Sequence, residues 1–113
     1  MSDILKQIDK VLIERKSDSP DSSYVASLYD KGMEKILKKV AEEAAETVMA
    51  AKDLEHSNGA TTDQEHLVYE IADLWFHTMV LLASQNLSSN DVTTELQRRF
   101  GLSGHEEKAS RSE

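Results

Sequence analysis

The chain of 113 residues contains no cysteine, one proline and four glycines. The absence of cysteine excludes disulfide bonds and metal sites built from thiolates. The scarcity of helix breakers, together with 39% hydrophobic residues, favours a helical globular protein over a disordered one. At this length we expect a single domain with a modest core, over residues 1–102, and a flexible C-terminal tail over residues 103–113.

Positive charge is also scarce, since 13 lysines and arginines oppose 21 acidic residues and give a net charge of −8. The basic residues are scattered or paired, which argues against a nucleic-acid partner because binding phosphates needs a basic stripe. The N-terminus has no secretory signal pattern, and Glu70 and Asp73 interrupt the most apolar run, so no membrane span is expected. We therefore expect a cytoplasmic protein. The excess acid either serves solubility or includes carboxylates that hold divalent cations.

Apolar residues recur with helical spacing in five segments, and no alternation is long enough to build a sheet. The predicted architecture is all-α, with two long central helices joined by a short turn, which makes them antiparallel neighbours. The predicted helices span 3–16, 24–31, 33 to about 54, the segment after a cap at 62 or 63 to about 85, and 89–100.

Several helix ends carry recognisable caps. Ser23 is expected to cap the short second helix and Gly32 to close it, while Thr62 or Asp63 is expected to cap the second long helix. That second long helix is apolar nearly all round, which predicts that it is the buried element of the bundle.

The predicted buried helix nevertheless carries a polar stripe. Glu70, Asp73 and His77 lie at i, i+3 and i+7 and therefore share one face, and His66 extends the row toward the N-terminus. An isolated buried carboxylate is very unfavourable unless it is paired or bound to a cation. A positive group is therefore expected opposite this stripe.

The preceding helix supplies more acid instead. Glu43 and Glu46 lie at i, i+3 beside its apolar stripe, with Glu42 further round, and in an antiparallel hairpin they can face Glu70 and Asp73. Converging carboxylates repel each other, and a hard cation such as Mg²⁺, which prefers oxygen ligands, relieves the repulsion.

Each signal alone has a simpler explanation. An E-E-x-x-E run is usually a solvated helix face, an E-x-x-D pair can complement the helix dipole, and a lone buried histidine is usually hydrogen-bonded in a core. The combination on two adjacent helices, one of them apolar, makes a Mg²⁺ site as well supported as these simpler explanations.

The segment "DSSYVASLYDKGMEKILKKVAEEAAETVMAAKD", followed by "YEIADLWFHTMVLL", closely resembles the phosphoribosyl-ATP pyrophosphatase family. This family is a branch of the MazG-like all-α NTP pyrophosphatases, whose signature is E-E-x-x-E followed by E-x-x-D. The S-Y-x-x-x-L-x-x-x-G, K-K-V-x-E-E and D-L-x-x-H motifs make the branch more specific. The resemblance covers residues 22–99. Ala41 and Trp75 depart from the usual glycine and tyrosine or small apolar residue, but both leave the acidic residues intact, and Trp75 would alter the wall of the pocket.

The resemblance implies a MazG-like bundle of four to five helices that dimerises, with active sites near the subunit interface. It implies Mg²⁺-dependent hydrolysis of 1-(5-phosphoribosyl)-ATP to 1-(5-phosphoribosyl)-AMP and pyrophosphate, the second step of histidine biosynthesis, with Mn²⁺ as an alternative ion. A house-cleaning NTP pyrophosphatase of the same fold and a helical interaction module without chemistry are the competing hypotheses.

The resemblance also assigns roles to residues of this chain. The implied metal ligands are Glu43, Glu46, Glu70 and Asp73. Glu42 and Glu46 are the candidates for orienting or deprotonating the attacking water. The candidates for binding substrate are Tyr24, Lys35, Lys38, Lys39, His77 and Arg98, with Arg99 as an alternative to Arg98. Tyr24 could equally pack in the core, and His77 could orient a ligand carboxylate or meet a phosphate.

Overall fold

The computed structural model describes residues 4–101, and in this range it contains five α-helices and no strand. The all-α prediction with two long central helices is therefore confirmed. Dimerisation and the extent of the domain stay predictions, and the predicted tail over residues 103–113 lies outside the described residues. The helices are α1 (Ile4–Glu14), α2 (Tyr24–Lys31), α3 (Met33–His56), α4 (Thr61–Ser84) and α5 (Ser89–Phe100), with a 3₁₀ turn at Arg15–Ser17.

The α3–α4 hairpin is the centre of the fold, and its two helices share the largest helix contact among the described residues. Asn58 and Gly59 adopt positive φ angles of 59° and 88°, which ends α3 and reverses the chain within a few residues. This short turn makes α3 and α4 antiparallel, as predicted.

The cap predicted at the start of α4 is wrong. Helix α4 begins at Thr61, and Ala60 occupies the N-cap position without a side-chain hydrogen bond, so Thr62 and Asp63 lie inside the first turn. The tight turn satisfies the local polar groups differently, because Ser57 Oγ accepts a hydrogen bond from the Ala60 amide at 3.2 Å.

The hydrophobic core lies at one end of the hairpin, where α1 and α2 pack against the first part of α3 and the last part of α4. Its buried members are Leu12, Val25, Leu28, Ile36, Met79, Val80 and Ala83. The other half of the hairpin has fewer neighbours in one chain, and it exposes Val48, Met49, Val68 and Tyr69. The prediction that α4 is buried throughout is therefore correct only for its second half.

By length and composition alone, α4 is the one helix among residues 4–101 that could cross a membrane. The interruption by Glu70 and Asp73 therefore does not by itself exclude a span. The second half of α4 nevertheless lies in the protein core, and the helix carries the buried polar residues Glu70 and His77. The core helix of a soluble bundle passes the same test of length and composition.

The N-terminus of α2 is fixed as the sequence predicts. Ser23 Oγ accepts a hydrogen bond from the Ala26 amide at 3.1 Å, and Gly32 ends the helix with φ of 94°. This cap makes Tyr24 the first residue of α2. The start of α2 lies against α4, since Tyr24 Oη is 2.8 Å from His77 Nε2.

Candidate active site

Three carboxylates meet between the middle of α3 and the middle of α4. Glu43, Glu46 and Glu70 each offer one oxygen atom, and these atoms lie within 4.8 Å of one another. Glu43 and Glu70 are only 6% and 8% exposed, whereas Glu46 is exposed at the rim of the cluster. The structure therefore brings together three of the four predicted metal ligands, and we call these three residues the acidic cluster.

Two oxygens of the acidic cluster lack partners. Glu43 Oε1 and Glu70 Oε1 are buried, and within residues 4–101 neither has a hydrogen-bond partner. Burial raises the pKa of Glu43 above its usual range, and the charges of Glu46 and Asp73 raise it further against the opposing effect of Lys39. Three carboxylates that each offer an oxygen within 4.8 Å of the others, two of them with a buried oxygen that has no partner among the described residues, are suited to a hard divalent cation. The residues present therefore fit Mg²⁺ or Mn²⁺.

Asp73 lies next to the acidic cluster, although its carboxylate is not among the three oxygens grouped within 4.8 Å. Its charge contributes to the raised pKa values of both Glu43 and Tyr24. Its assignment as a metal ligand stays a prediction. Glu42 also lies outside the tight group, and its carboxylate is paired with Lys39 at 3.4 Å.

Lys39 is the cation that the structure brings to the acidic cluster. Its Nζ lies 3.4 Å from Glu42 Oε1 and 3.8 Å from Glu43 Oε2, and its side chain is half-buried. Burial acts to lower the pKa of Lys39, but Tyr24, Glu42 and Glu43 together raise it above its usual value. Lys39 therefore stays charged at the edge of the site.

His77 connects α4 with the start of α2. The ring is 5% exposed, its Nδ1 lies 2.9 Å from the Asp73 backbone carbonyl, and its Nε2 lies 2.8 Å from Tyr24 Oη. A carbonyl only accepts, so Nδ1 carries a proton, and Nε2 of the neutral ring accepts the hydrogen bond from the Tyr24 hydroxyl. His77 thus contacts the backbone of a predicted ligand and not its carboxylate.

Tyr24 is not a core residue, since it is 52% exposed while its hydroxyl is bound to His77. Burial of the hydroxyl is the largest cause of its raised pKa. The charge of Lys39 lowers the pKa, and the charges of Glu43, Asp73 and Glu42 raise it. Of the two alternatives for Tyr24, the structure favours a place at the mouth of the site over core packing.

The other predicted substrate contacts are spread more widely. Lys35 is half-buried and Lys38 exposed on the first half of α3. Arg98 forms an ion pair at 2.7 Å with Glu95, on a helix that packs against α1. Within one chain the structure therefore supports Arg98 less than Lys39 as a residue of this site.

Two further residues bear on the surroundings of the site. Trp75, which departs from the family pattern, is exposed and lines an apolar groove of about 310 Å³ between α1, α4 and α5. His66 donates to the acidic cluster, with its Nε2 2.9 Å from Glu70 Oε2. The i−4 spacing from Glu70 was the signal for this contact, but the spacing alone assigns no role to His66.

Comparison with known proteins decides the family. Residues 5–100 match the family model described as Phosphoribosyl-ATP pyrophosphohydrolase. The chain belongs to this family. It is also 67% identical over 111 residues to the Phosphoribosyl-ATP pyrophosphatase of Hydrogenovibrio crunogenus, a similarity that covers 98% of this chain and 95% of that relative. The resemblance inferred from the E-E-x-x-E and E-x-x-D motifs is confirmed, and it extends over all five helices of the pyrophosphohydrolase fold.

Proposed function

We propose that this chain hydrolyses 1-(5-phosphoribosyl)-ATP to 1-(5-phosphoribosyl)-AMP and pyrophosphate, the second step of histidine biosynthesis, in the cytoplasm. The observation that carries this proposal is the 67% identity, over nearly the whole of both chains, to a protein named for this activity. The acidic cluster supports this proposal, because burying carboxylate oxygens without partners destabilises the folded protein, and such groups are usually retained where they bind a ligand.

We propose Glu43, Glu46, Glu70 and Asp73 as the residues that hold Mg²⁺, with Mn²⁺ as a substitute. The three clustered oxygens and the adjacent Asp73 form an all-oxygen donor set, which is the set that these ions prefer. When bound, Mg²⁺ offsets the negative charge of the phosphates and of the leaving pyrophosphate and lowers the pKa of water. Both substrate and protein are anionic, so this charge is needed for them to associate.

The remaining steps fall to side chains around the acidic cluster. Glu42 or Glu46 is the candidate for accepting a proton from the attacking water, since both are more exposed than Glu43 and Glu70 and lie at the open side of the site. Lys39 is positioned to exchange its contact with Glu42 for a phosphate oxygen of the substrate. Lys35, Lys38 and Arg98 are proposed as further phosphate contacts, and Tyr24 as a residue that positions the substrate.

We further propose that the chain forms at least a homodimer. The half of the hairpin away from the core exposes Val48, Met49, Val68 and Tyr69 in one chain, and large apolar side chains of this kind usually mark a protein contact. Sedimentation velocity tests this proposal. Tyr69→Lys should shift the distribution toward monomer, and a wild-type protein that sediments as a monomer at all concentrations would exclude the dimer.

The proposed reaction is tested by pyrophosphate release from phosphoribosyl-ATP, with and without Mg²⁺. We expect Glu43→Gln and Asp73→Asn to abolish turnover with the helical circular dichroism retained, whereas Glu65→Gln, an exposed neutral substitution on α4, should not. Faster hydrolysis of dATP or of a modified NTP would favour a house-cleaning pyrophosphatase. Turnover that is unaffected by both site substitutions would refute the assigned site.

A further inference from the structure

His66 is the polar residue of the α4 stripe that the proposed reaction does not use. It lies one turn before Glu70, and its side chain is 50% exposed, so it is not a core histidine. Its Nε2 lies 2.9 Å from Glu70 Oε2, within normal hydrogen-bond distance. A carboxylate oxygen only accepts, so Nε2 carries the proton in this contact whether the ring is neutral or charged.

The two oxygens of Glu70 have different surroundings. Oε2 accepts the hydrogen bond from His66, whereas Oε1 is buried without a hydrogen-bond partner among the described residues and therefore remains available to a ligand. A carboxylate that is held by one oxygen loses rotational freedom about its last bond. Less conformational entropy of Glu70 is therefore lost when a cation binds.

We infer that His66 is a positioning residue for the cation site: it anchors Glu70 Oε2 and thereby presents Glu70 Oε1 to the metal held with Glu43 and Glu46. This inference rests on the proposed metal-dependent function and extends it by one residue. Hydrogen-bond partners of ligand carboxylates commonly change metal affinity by about 10–100-fold when they are removed. His66 touches neither the substrate nor the cation in this assignment and acts only through Glu70.

The test is calorimetric titration of the full chain with Mg²⁺ alone, for the wild type and four variants. His66→Ala should weaken Mg²⁺ binding by about tenfold. His66→Gln should restore most of the affinity, because its amide nitrogen is as many bonds from Cβ as Nε2 and can donate to the same oxygen. His66→Phe keeps a ring of similar size without a donor and should bind as weakly as His66→Ala. His56→Ala, which removes an exposed histidine at the end of α3, is the matched control and should bind like the wild type.

Turnover gives a second readout. At saturating Mg²⁺ the kcat of His66→Ala should return close to the wild-type value, while the Mg²⁺ concentration for half-maximal rate should rise by the same factor as the dissociation constant. A kcat that stays low at saturating Mg²⁺ would overturn the positioning role, because a residue that acts only through metal affinity does not limit the loaded enzyme.

The remaining outcomes are equally decisive. Unchanged or tighter Mg²⁺ binding by His66→Ala, or binding by His66→Gln as weak as by His66→Ala, would overturn the inference. A wild type that does not bind Mg²⁺ would overturn it as well. A wild type that binds Mg²⁺ but does not hydrolyse phosphoribosyl-ATP would refute the proposed function and leave the inference to be decided by the titrations. Circular dichroism of the half-exposed position 66 variants establishes that they share the wild-type fold.

Discussion

Neutralising Glu43 should stabilise the metal-free protein and remove its response to Mg²⁺. In Glu43→Gln the side chain keeps its size, but the buried charge close to the carboxylates of Glu46 and Glu70 is lost. The substitution also removes one attraction, because Lys39 Nζ lies 3.8 Å from Glu43 Oε2. The sign of the effect depends on which of these contributions is larger.

The distances allow the magnitude to be worked out. At an effective dielectric constant of about 20, each repulsion across at most 4.8 Å is worth at least about 3.5 kcal/mol and the attraction across 3.8 Å about 4.4 kcal/mol. The repulsions exceed the attraction, and exposure of Glu46 to water reduces the difference, so we expect a net gain of about 1–2 kcal/mol on neutralisation. For a domain of this size that corresponds to a rise in Tm of about 5–10 °C.

The assay is thermal unfolding by circular dichroism at one protein concentration, first in EDTA and then with increasing Mg²⁺. In EDTA, Glu43→Gln should melt above the wild type. With Mg²⁺ at about 100 times its dissociation constant, binding should stabilise the wild type by about 2.7 kcal/mol and the variant far less. The difference between the two Tm values should therefore shrink or change sign. Glu65→Gln removes an exposed charge from α4 and should follow the wild type throughout. A lower Tm than wild type in EDTA, or equal Mg²⁺ shifts in both proteins, would refute the reasoning.

Three further predictions concern the hydrogen bond to His77, the response of stability to pH and the hydrophobic core. Tyr24→Phe removes the hydrogen bond to His77 and should lower the free energy of unfolding in urea by about 1–2 kcal/mol and also reduce turnover. Tyr29→Phe removes a hydrogen bond to the Leu12 carbonyl and should lower stability while kcat stays unchanged. Equal losses of kcat in the two variants would contradict this prediction. Burial raises the pKa of Glu43 in the folded state, so the protonated carboxyl group stabilises the fold below the ordinary carboxylate pKa, and this stabilisation is lost as pH rises through the folded-state pKa. In EDTA, the Tm of the wild type should therefore fall more than the Tm of Glu43→Gln between about pH 5 and pH 7. Parallel curves of Tm against pH would contradict this prediction. Leu12→Ala should lower the free energy of unfolding by about 2–5 kcal/mol, since this side chain is buried where α1 meets the core. A loss below about 1 kcal/mol in urea unfolding would show that α1 is not part of the core.

The sequence alone determined the helices and the stripe of acids. Helical periodicity, Ser23 as a cap and glycine after α2 are local properties, so five helices and their order could be predicted from single segments. The i, i+3 spacing of Glu43 and Glu46 and the short turn before α4 were sufficient to predict that these acids face Glu70. The helix ends were predicted less well, since α1 ends at Glu14 and α3 at His56. The cap of α4 was misplaced because the geometry of the Asn58–Gly59 turn is set by backbone angles that composition does not reveal.

Tertiary structure decided which atoms are left without partners. Spacing placed His66, Glu70 and His77 on one face, but it did not show that His66 donates to one oxygen of Glu70 and leaves the other unpartnered, nor that the ring nitrogens of His77 go to Tyr24 and a backbone carbonyl. The Tyr24–His77 hydrogen bond joins residues 53 apart in the chain, and the burial of Glu70 Oε1 depends on the helices packed around it. The contacts of His66 and of His77 Nδ1 join residues four apart on α4, but which atoms meet depends on the side-chain conformations that this packing allows. A periodic pattern fixes the direction of a side chain around its own helix, whereas its contacts depend on the helices packed against it.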